Sequence, residues 1–244
     1  MSLPFLQALA QLTAHLATLP GLPRRIGFLG YPDLVYTPRE LAAVLGEAAL
    51  PRLRMRPNAE RLRALHGAGA ECLVPAADSL LEQLSPHGFT AEYLDFQDYT
   101  GEETILDLNR PLPPGFAGRY ALLVDGGTLE HVFDIALAFS NCAAMVAVGG
   151  YVLHSLPLNA FNHGFWNINP TALVEFHEAN GFETTLLKLN PWHAREVVEA
   201  PPFERFRLPH TQETNVFYIA RRAEPCAGFH YPIQRRYRDA EAWR

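Results

Sequence analysis

Residues 120–131 read YALLVDGGTLEH, and this stretch decides the fold. It opens with a run of apolar residues, Ala121 to Val124, which is typical of a strand buried on both faces. The acid and two glycines at residues 125–127 then predict a tight turn. The threonine, glutamate and histidine that follow are therefore expected at the carboxyl end of a buried strand.

Strand-like and helix-like segments alternate on both sides of this stretch. Strands are predicted at residues 25–30, 91–96, 151–156, 184–189 and 215–220. Helices are predicted at residues 3–19, 37–46, 58–65, 78–84, 129–139 and 169–181. This alternation predicts an α/β fold with a doubly wound, mostly parallel sheet and helices on both faces.

Polar residues recur where the predicted strands end. They fall at Gly30–Asp33, Asp95, Asp107–Asn109, Asp125–His131 and Ser155–Asn162. Ligands of open α/β sheets bind beyond the carboxyl ends of the strands, so these segments are expected along one rim of the sheet.

Composition limits the kind of protein. A length of 244 residues with 48% hydrophobic content is enough for a packed core, and the formal charge of −6 argues against a nucleic-acid partner. No apolar run approaches the roughly 20 residues that span a bilayer, and the start at Met1 lacks the pattern of a signal peptide. We therefore expect a cytoplasmic protein without a membrane partner, with three reduced cysteines.

Several of these motifs, taken in order, resemble those of the class I S-adenosylmethionine-dependent methyltransferases. The stretch DGGTLEHV at residues 125–132 is similar to the fourth-strand motif D-x-G-x-L-E-H-V of one subgroup, and GGYVL at residues 149–153 resembles the glycine turn into the fifth strand. Asp95 matches the acid after the second strand, and the strand ending at Arg222 fits the closing hairpin. The resemblance covers roughly residues 25–220.

The resemblance implies a Rossmann-like sheet of the methyltransferase type and S-adenosylmethionine as cofactor. It divides the chain into an N-terminal helical element (1–24), an α/β domain (25–222) and a C-terminal extension (223–244) that packs on the domain or on a partner, such as a second copy in a homodimer. The residues it assigns to cofactor binding are Gly30, Asp33, Asp95, Asp107, Leu108, Asn109, Asp125 and Gly126.

The loop after the first strand departs from the family. Members carry several glycines there, because backbone without side chains must approach the methionine part of the cofactor. The corresponding residues, 27–33, read GFLGYPD, with a tyrosine and a proline after Gly30. Either Tyr31 and Asp33 hold the cofactor in another geometry, or the site serves a different ligand.

The motif after the fourth predicted strand supplies candidate catalytic groups. Thr128 is a good N-cap, which would place Glu130 and His131 in the first turn of a helix. The helix dipole there favours an anionic Glu130 and a neutral His131 that can accept a proton. The alternative is that Glu130 serves only the helix terminus while His131 packs under the cofactor.

A second candidate histidine lies beyond the fifth predicted strand. His163 is flanked by Asn162 and Gly164 in a segment rich in aromatic and amide residues, which suits a ligand pocket. We interpret it as a second base or a substrate contact, the alternative being a loop histidine bonded to backbone. His154, inside the strand, is expected to be buried with its hydrogen bonds satisfied. The histidines lack the close spacing of a metal motif, so no metal site is predicted.

The sequence thus predicts a methyltransferase acting on a small molecule, with Glu130, His131 and His163 as catalytic residues. Two alternatives stay open. One is an enzyme of the same fold that no longer transfers methyl groups, such as a lyase, cyclase or hydrolase with or without a metal. The other is a catalytically silent binding subunit.

Overall fold

The computed structural model describes residues 2–84, 88–192, 196–202, 212–226 and 228–238. Within these ranges one sheet contains eight strands: β1 (Arg25–Leu29), β2 (Thr90–Asp95), β3 (Glu103–Ile105), β4 (Tyr120–Asp125), β5 (Val146–Pro157), β6 (Phe182–Pro191), β7 (Val198–Glu199) and β8 (Thr214–Arg222). The α-helices there are α1 (Leu3–Ala17), α2 (Pro38–Leu45), α3 (Ala59–Leu65), α4 (Ala77–Leu84), α5 (Ile135–Met145) and α6 (Pro170–Ala179).

The strand order is β3-β2-β1-β4-β5-β8-β6-β7. β1 pairs in parallel with both β2 and β4. The chain adds β2 and β3 on one side of β1 and then continues with β4 and β5 on the other side. β8 lies antiparallel between β5 and β6. This arrangement confirms the predicted doubly wound α/β fold, including the closing hairpin, and it places a topological switch point between β1 and β4.

Helices cover the sheet on both faces. Every residue of β4 is buried, as expected for a strand in the middle of such a sheet. One core cluster joins α1 to the sheet through Phe5, Leu122 and Phe217, and the other joins α5 and α6 to it through residues such as Phe139 and Phe176.

Side-chain and glycine signals mark both ends of α2, which begins and ends close to the predicted range 37–46. Thr37 Oγ1 accepts a hydrogen bond from the Glu40 amide (3.2 Å), and the Thr37 amide donates to Glu40 Oε2 (2.9 Å), which completes the capping box. Gly46 ends the helix with a φ of 82°.

Two boundaries differ from the sequence prediction. β5 begins at Val146, before the glycine pair that was expected to form a turn ahead of it. A Cβ at Gly150 would lie only 2.6 Å from the Ala121 carbonyl oxygen, so this glycine permits close approach to β4 inside the strand. The helix expected from residue 129 begins instead at Ile135, where the side chain of Asp134 accepts a hydrogen bond from the Leu137 amide (3.1 Å).

The described part of the C-terminal extension contacts α6 and the residue after it. Asn180 exchanges hydrogen bonds with the backbone of His230, and the Arg235 amide donates to Glu175 (2.6 Å). Residues 227 and 239–244 of this extension lie outside the described ranges. Among the helices that are described, none has both the length and the apolar character needed to cross a bilayer.

Candidate functional site

A cavity of about 720 Å³ opens at the carboxyl ends of β1 and β4. Its walls include Leu3 and Phe5 of α1, Gly30–Asp33 after β1, most of the segment 126–131 after β4, and the loop that carries His163 after β5, together with residues near α2, α3, β6 and β8. The volume lies within the range of small-molecule sites in proteins. The cavity therefore occupies the position at the switch point where the sequence predicted a ligand.

Bare backbone and an acid meet at the end of β1. Gly30 has a φ of 74°, and its amide donates a 2.7 Å hydrogen bond to the Leu94 carbonyl of β2. A Cβ there would lie 3.6 Å from Asp95 Oδ2 and 3.5 Å from Thr128 Oγ1. Asp95 is half-buried, and burial raises the pKa of its carboxyl. Its Oδ1 accepts a hydrogen bond from the Phe96 amide (2.7 Å).

The tyrosine in the unusual β1 loop packs against β2. The Tyr31 ring lies 4.4 Å from that of Tyr93, between centroids, and its hydroxyl accepts a hydrogen bond from the Ala77 amide (3.2 Å). The Arg56 guanidinium covers the ring face at 4.5 Å. Tyr31 thus lines the cavity without filling it.

Asp33, which was predicted to bind cofactor, is engaged by two basic side chains. Its Oδ1 accepts a hydrogen bond from Arg56 (2.9 Å), and its Oδ2 lies 3.1 Å from His66 Nε2. Burial opposes ionisation of Asp33, but His66 and Arg56 outweigh it and lower the pKa of this carboxyl. Asp33 therefore contributes an ion-paired wall of the cavity.

Asp125 holds the turn after β4. It is fully buried, and its Oδ1 accepts hydrogen bonds from the amides of Thr128 (2.9 Å) and Gly127 (3.3 Å). Its Oδ2 lies 2.8 Å from Nδ1 of His154, the residue opposite it on β5. His154 is buried as expected, but its Nε2 has no hydrogen-bond partner among the described residues. Asp125 thus shapes the cavity rim, while Gly126 and Gly127 line it.

The prediction that Thr128 caps a helix is wrong. Its hydroxyl donates instead to the Leu29 carbonyl at the end of β1 (2.8 Å), so it joins the two central strands. Glu130 and His131 consequently lie in a three-residue 3-10 turn, Leu129–His131, where no helix dipole supports an anionic carboxylate.

Glu130 is the buried acid of this turn. Only 1% of the residue is exposed, and neither side-chain oxygen has a partner with hydrogen-bond geometry among the described residues. Burial raises the pKa of its carboxyl, and the nearby Asp125 adds to the rise. The pKa of His131 is lowered, as predicted, but the causes are burial and then His163 rather than a helix dipole.

The loop after β5 is fixed onto the backbone of Glu130. The amides of Phe165 and Trp166 both donate to the Glu130 carbonyl, at 2.8 and 3.2 Å. A Cβ at Gly164 would lie 2.7 Å from that same oxygen, so only glycine fits there. His163 Nε2 consequently lies 3.3 Å from Glu130 Oε1, and His131 Nε2 lies 3.9 Å from the same atom. The structure thus brings together all three predicted catalytic residues.

The predicted segment 107–109 is placed elsewhere. Asp107 Oδ1 accepts a hydrogen bond from the Asn109 amide (2.9 Å), Asn109 Oδ1 accepts one from the Asp134 amide (3.0 Å), and Leu108 is buried in the core. None of the three is among the described residues that line the cavity.

Sequence reasoning missed several residues of the cavity wall: Ser2, Leu3, Phe5, His66, Asn190, Trp192 and Asn215. Asn190 and Asn215 are opposite each other on β6 and β8. Asn190 follows a mostly apolar run and Asn215 precedes one, and a polar residue at the end of an apolar strand is the signal that could have identified them. The spacing within α1 indicates only an amphipathic helix and gives no sign of a cavity.

No family model matches the chain, and no curated protein matches it. Among solved structures it is similar to the N-methyltransferase NodS from Bradyrhizobium japonicum, at 13% identity over 91% of this chain and 98% of that one, with a TM-score of 0.47. It is also similar to the 1,6-didemethyltoxoflavin-N1-methyltransferase of Burkholderia thailandensis, whose structure contains 1,6-didemethyltoxoflavin and S-adenosylhomocysteine (14% identity, 90% and 78% of the two chains, TM-score 0.46).

A third similar structure is a 16S rRNA (adenine(1408)-N(1))-methyltransferase from Catenulisporales acidiphilia (11% identity, 88% and 94% of the two chains, TM-score 0.41). All three TM-scores are below 0.5. The strand order defines the doubly wound architecture, and the residues around the cavity define the candidate site.

Proposed function

We propose that this protein is an S-adenosylmethionine-dependent methyltransferase that acts on a small molecule. The observation that carries the proposal is the cavity of about 720 Å³ at the switch point of the sheet, with Gly30 at one wall and His131 and His163 at another. At this position the backbone of Gly30 can contact a cofactor, and the two histidines can accept a proton from a second ligand.

The residues around Gly30 fit the cofactor. Gly30, Gly126 and Gly127 present backbone to the cavity, and the Asp95 carboxylate beside Gly30 offers an acceptor for ribose hydroxyls. When bound, S-adenosylmethionine supplies an electrophilic methyl group. The predicted cofactor-binding residues 107–109 are not among the described residues that line the cavity. Asp95 is not among them either, but its Oδ2 would lie 3.6 Å from a Cβ at the lining residue Gly30, so we assign cofactor binding to the glycines and Asp95.

The histidines supply the acid–base groups. Because burial lowers the pKa of His131, its ring is ready to accept a proton near neutral pH. His163 and Glu130 lie within 4 Å of each other and can pass that proton onward. The walls of the cavity would hold the acceptor in line, which contributes to rate through proximity.

A small-molecule acceptor suits the shape and charge of the chain. The site is a concave cavity, and the formal charge of −6 disfavours a polyanionic nucleic acid. The buried Glu130, whose carboxyl oxygens make no hydrogen bond among the described residues, favours one rival, an enzyme of this fold that performs acid–base or metal chemistry without methyl transfer.

Calorimetric titration with S-adenosylmethionine and S-adenosylhomocysteine tests the proposal. We expect binding, and we expect Asp95→Ala to weaken it at least about tenfold because a charged acceptor is lost. Asp107→Ala is the matched control, since among the described residues that carboxylate bonds to Asn109 of its own loop and pairs with Arg110. Absence of binding of either molecule at about 1 mM would reject the cofactor and favour the rival enzyme.

A further inference from the structure

Three metal-ligating side chains converge on one wall of the cavity. Donor atoms of Glu130, His131 and His163 all lie within 4.8 Å of one another. Two of the side chains are exposed to the cavity, and the third, Glu130, is buried beneath them. Glu130 and His131 follow β4, whereas His163 follows β5, so the fold rather than local sequence creates the cluster.

We propose that Glu130, His131 and His163 bind one divalent transition-metal ion that keeps coordination positions open to the cavity. Those positions would take an anionic oxygen or a nitrogen of a small-molecule ligand. This inference does not depend on methyl transfer, because it concerns only the donor atoms and the space in front of them.

The distances are close to those that a metal requires. A metal at roughly 2.0–2.2 Å from each nitrogen and oxygen donor holds the donors about 3 to 3.5 Å apart. His163 Nε2 is already 3.3 Å from Glu130 Oε1, and His131 Nε2 is 3.9 Å from it. The donor atoms of the two histidines lie within 4.8 Å of each other, so their rings must approach by up to about 1.5 Å to share one ion, and the side chain of His131 is 49% exposed.

The buried carboxylate is the second observation that points to a cation. Both oxygens of Glu130 lack hydrogen-bond partners among the described residues, although only 1% of the residue is exposed. A buried carboxylate without partners is costly, and proteins resolve such cases by pairing, protonation or metal coordination. A metal ion on the cavity side would satisfy these oxygens.

The backbone fixes the relative position of the ligands. The Glu130 carbonyl accepts hydrogen bonds from the Phe165 and Trp166 amides, and Trp166 Nε1 donates to the Val132 carbonyl (3.1 Å). These bonds hold the loop of His163 over the 3-10 turn of Glu130 and His131. The three ligands therefore keep their relative positions through the backbone when no metal is bound.

The donor set indicates which metals fit. Two imidazoles and one carboxylate suit zinc with a position left for water or substrate, and the same set suits ferrous iron. Magnesium and calcium prefer oxygen donors, so we do not expect them to compete.

Metal titration of tag-free, chelator-treated protein tests the proposal without any cofactor present. We expect one equivalent of Zn²⁺ to bind by calorimetry, and one equivalent of Co²⁺ to produce visible absorption bands. Glu130→Gln and His163→Gln should each weaken Zn²⁺ binding at least about tenfold. His230→Gln is the matched control, because His230 is an exposed histidine that contacts α6 through its backbone.

A second readout separates lost binding from lost folding. Zn²⁺ should raise the unfolding temperature of the wild type and of His230→Gln, but not that of His163→Gln, because only a ligand of the native state stabilises it. His131→Gln, at an exposed position, serves if another variant does not fold. Substoichiometric uptake by the wild type, or equal affinity in the Glu130 and His163 variants, would overturn the proposal. Metal binding without S-adenosylhomocysteine binding would reject the methyltransferase and leave the metal site standing.

Discussion

Nε2 of His163 lies 3.3 Å from Oε1 of Glu130, although the two residues belong to loops that follow different strands. The contact joins an exposed base to a buried acid at the wall of the cavity. The pair carries the proposed proton transfer in the metal-free protein and supplies two ligands of the proposed metal site, and it cannot do both at once because a metal occupies the atoms that would take up the proton.

Glu130→Gln should stabilise the metal-free protein. At neutral pH the wild type must bury a charged carboxylate that makes no hydrogen bond among the described residues, or keep it protonated, and an amide avoids both costs. We expect the free energy of unfolding in urea to rise by about 1 kcal/mol, while function is lost. Glu183→Gln, at an exposed acid paired with Arg221, should change it by less than about 0.5 kcal/mol. A destabilised Glu130→Gln beside an unchanged control would show that the carboxyl has stabilising partners.

Gly164→Ala should damage the site. The new Cβ would meet the Glu130 carbonyl oxygen at 2.7 Å, so the loop must move and carry His163 away from Glu130. We expect Zn²⁺ affinity to fall at least about tenfold, measured by calorimetry. In the control Gly69→Ala, the nearest atoms belong to the side chain of Glu71 on the surface, which can move aside. Unchanged zinc affinity in Gly164→Ala would show that the loop does not position His163.

Thr128→Val should weaken the junction between β1 and β4. The variant keeps the shape of the side chain but loses the 2.8 Å hydrogen bond to the Leu29 carbonyl. We expect the free energy of unfolding to fall by about 1 kcal/mol, measured by urea denaturation. Thr18→Val removes a similar bond, to His15, at an exposed helix end where water replaces it, so its effect should be smaller. Equal effects in the two variants would contradict the role of Thr128 at the junction.

Stability should decline in acid because of His177. This side chain is fully buried, and burial, followed by the nearby His154, lowers its pKa from 6.5 to about 3. Above pH 6.5 the residue is neutral in both states, and below it the unfolded chain binds a proton that the folded chain does not. We expect a loss of about 3 kcal/mol between pH 6.5 and about pH 4 from this residue.

His177→Leu isolates that contribution. Urea denaturation at several pH values should show a flatter acid limb for this variant, while His230→Leu, at an exposed position, should retain the wild-type slope. If the free energy of unfolding of His177→Leu falls with decreasing pH as steeply as that of the wild type, groups other than His177 cause the acid sensitivity.

The fold could be predicted from the sequence because its signals are local. The apolar run in β4 ends abruptly at an acid and two glycines, and the capping box of α2 lies within four consecutive residues. Alternating strands and helices then limit the sheet to a doubly wound form.

The site could be predicted only in part, because its geometry depends on contacts between distant segments. The sequence predicted Thr128 as the cap of the helix after β4, but the hydroxyl of Thr128 bonds to Leu29 on another strand and the helix begins later, where Asp134 caps it. The environment of Glu130 likewise depends on Gly164, which no local pattern connects to it. Residue types indicated the three catalytic candidates, but they gave neither the burial of Glu130 nor the convergence of the histidines.

The place of α1 in the cavity wall has a practical consequence for purification. Ser2, Leu3 and Phe5 all border the cavity, and the Ser2 hydroxyl accepts a hydrogen bond from Asn190 (2.8 Å). An affinity tag fused ahead of these residues would emerge at the mouth of the site, where a polyhistidine tag could capture metal or obstruct the ligand. Recombinant protein for the binding experiments should therefore carry a cleavable tag at the other end of the chain.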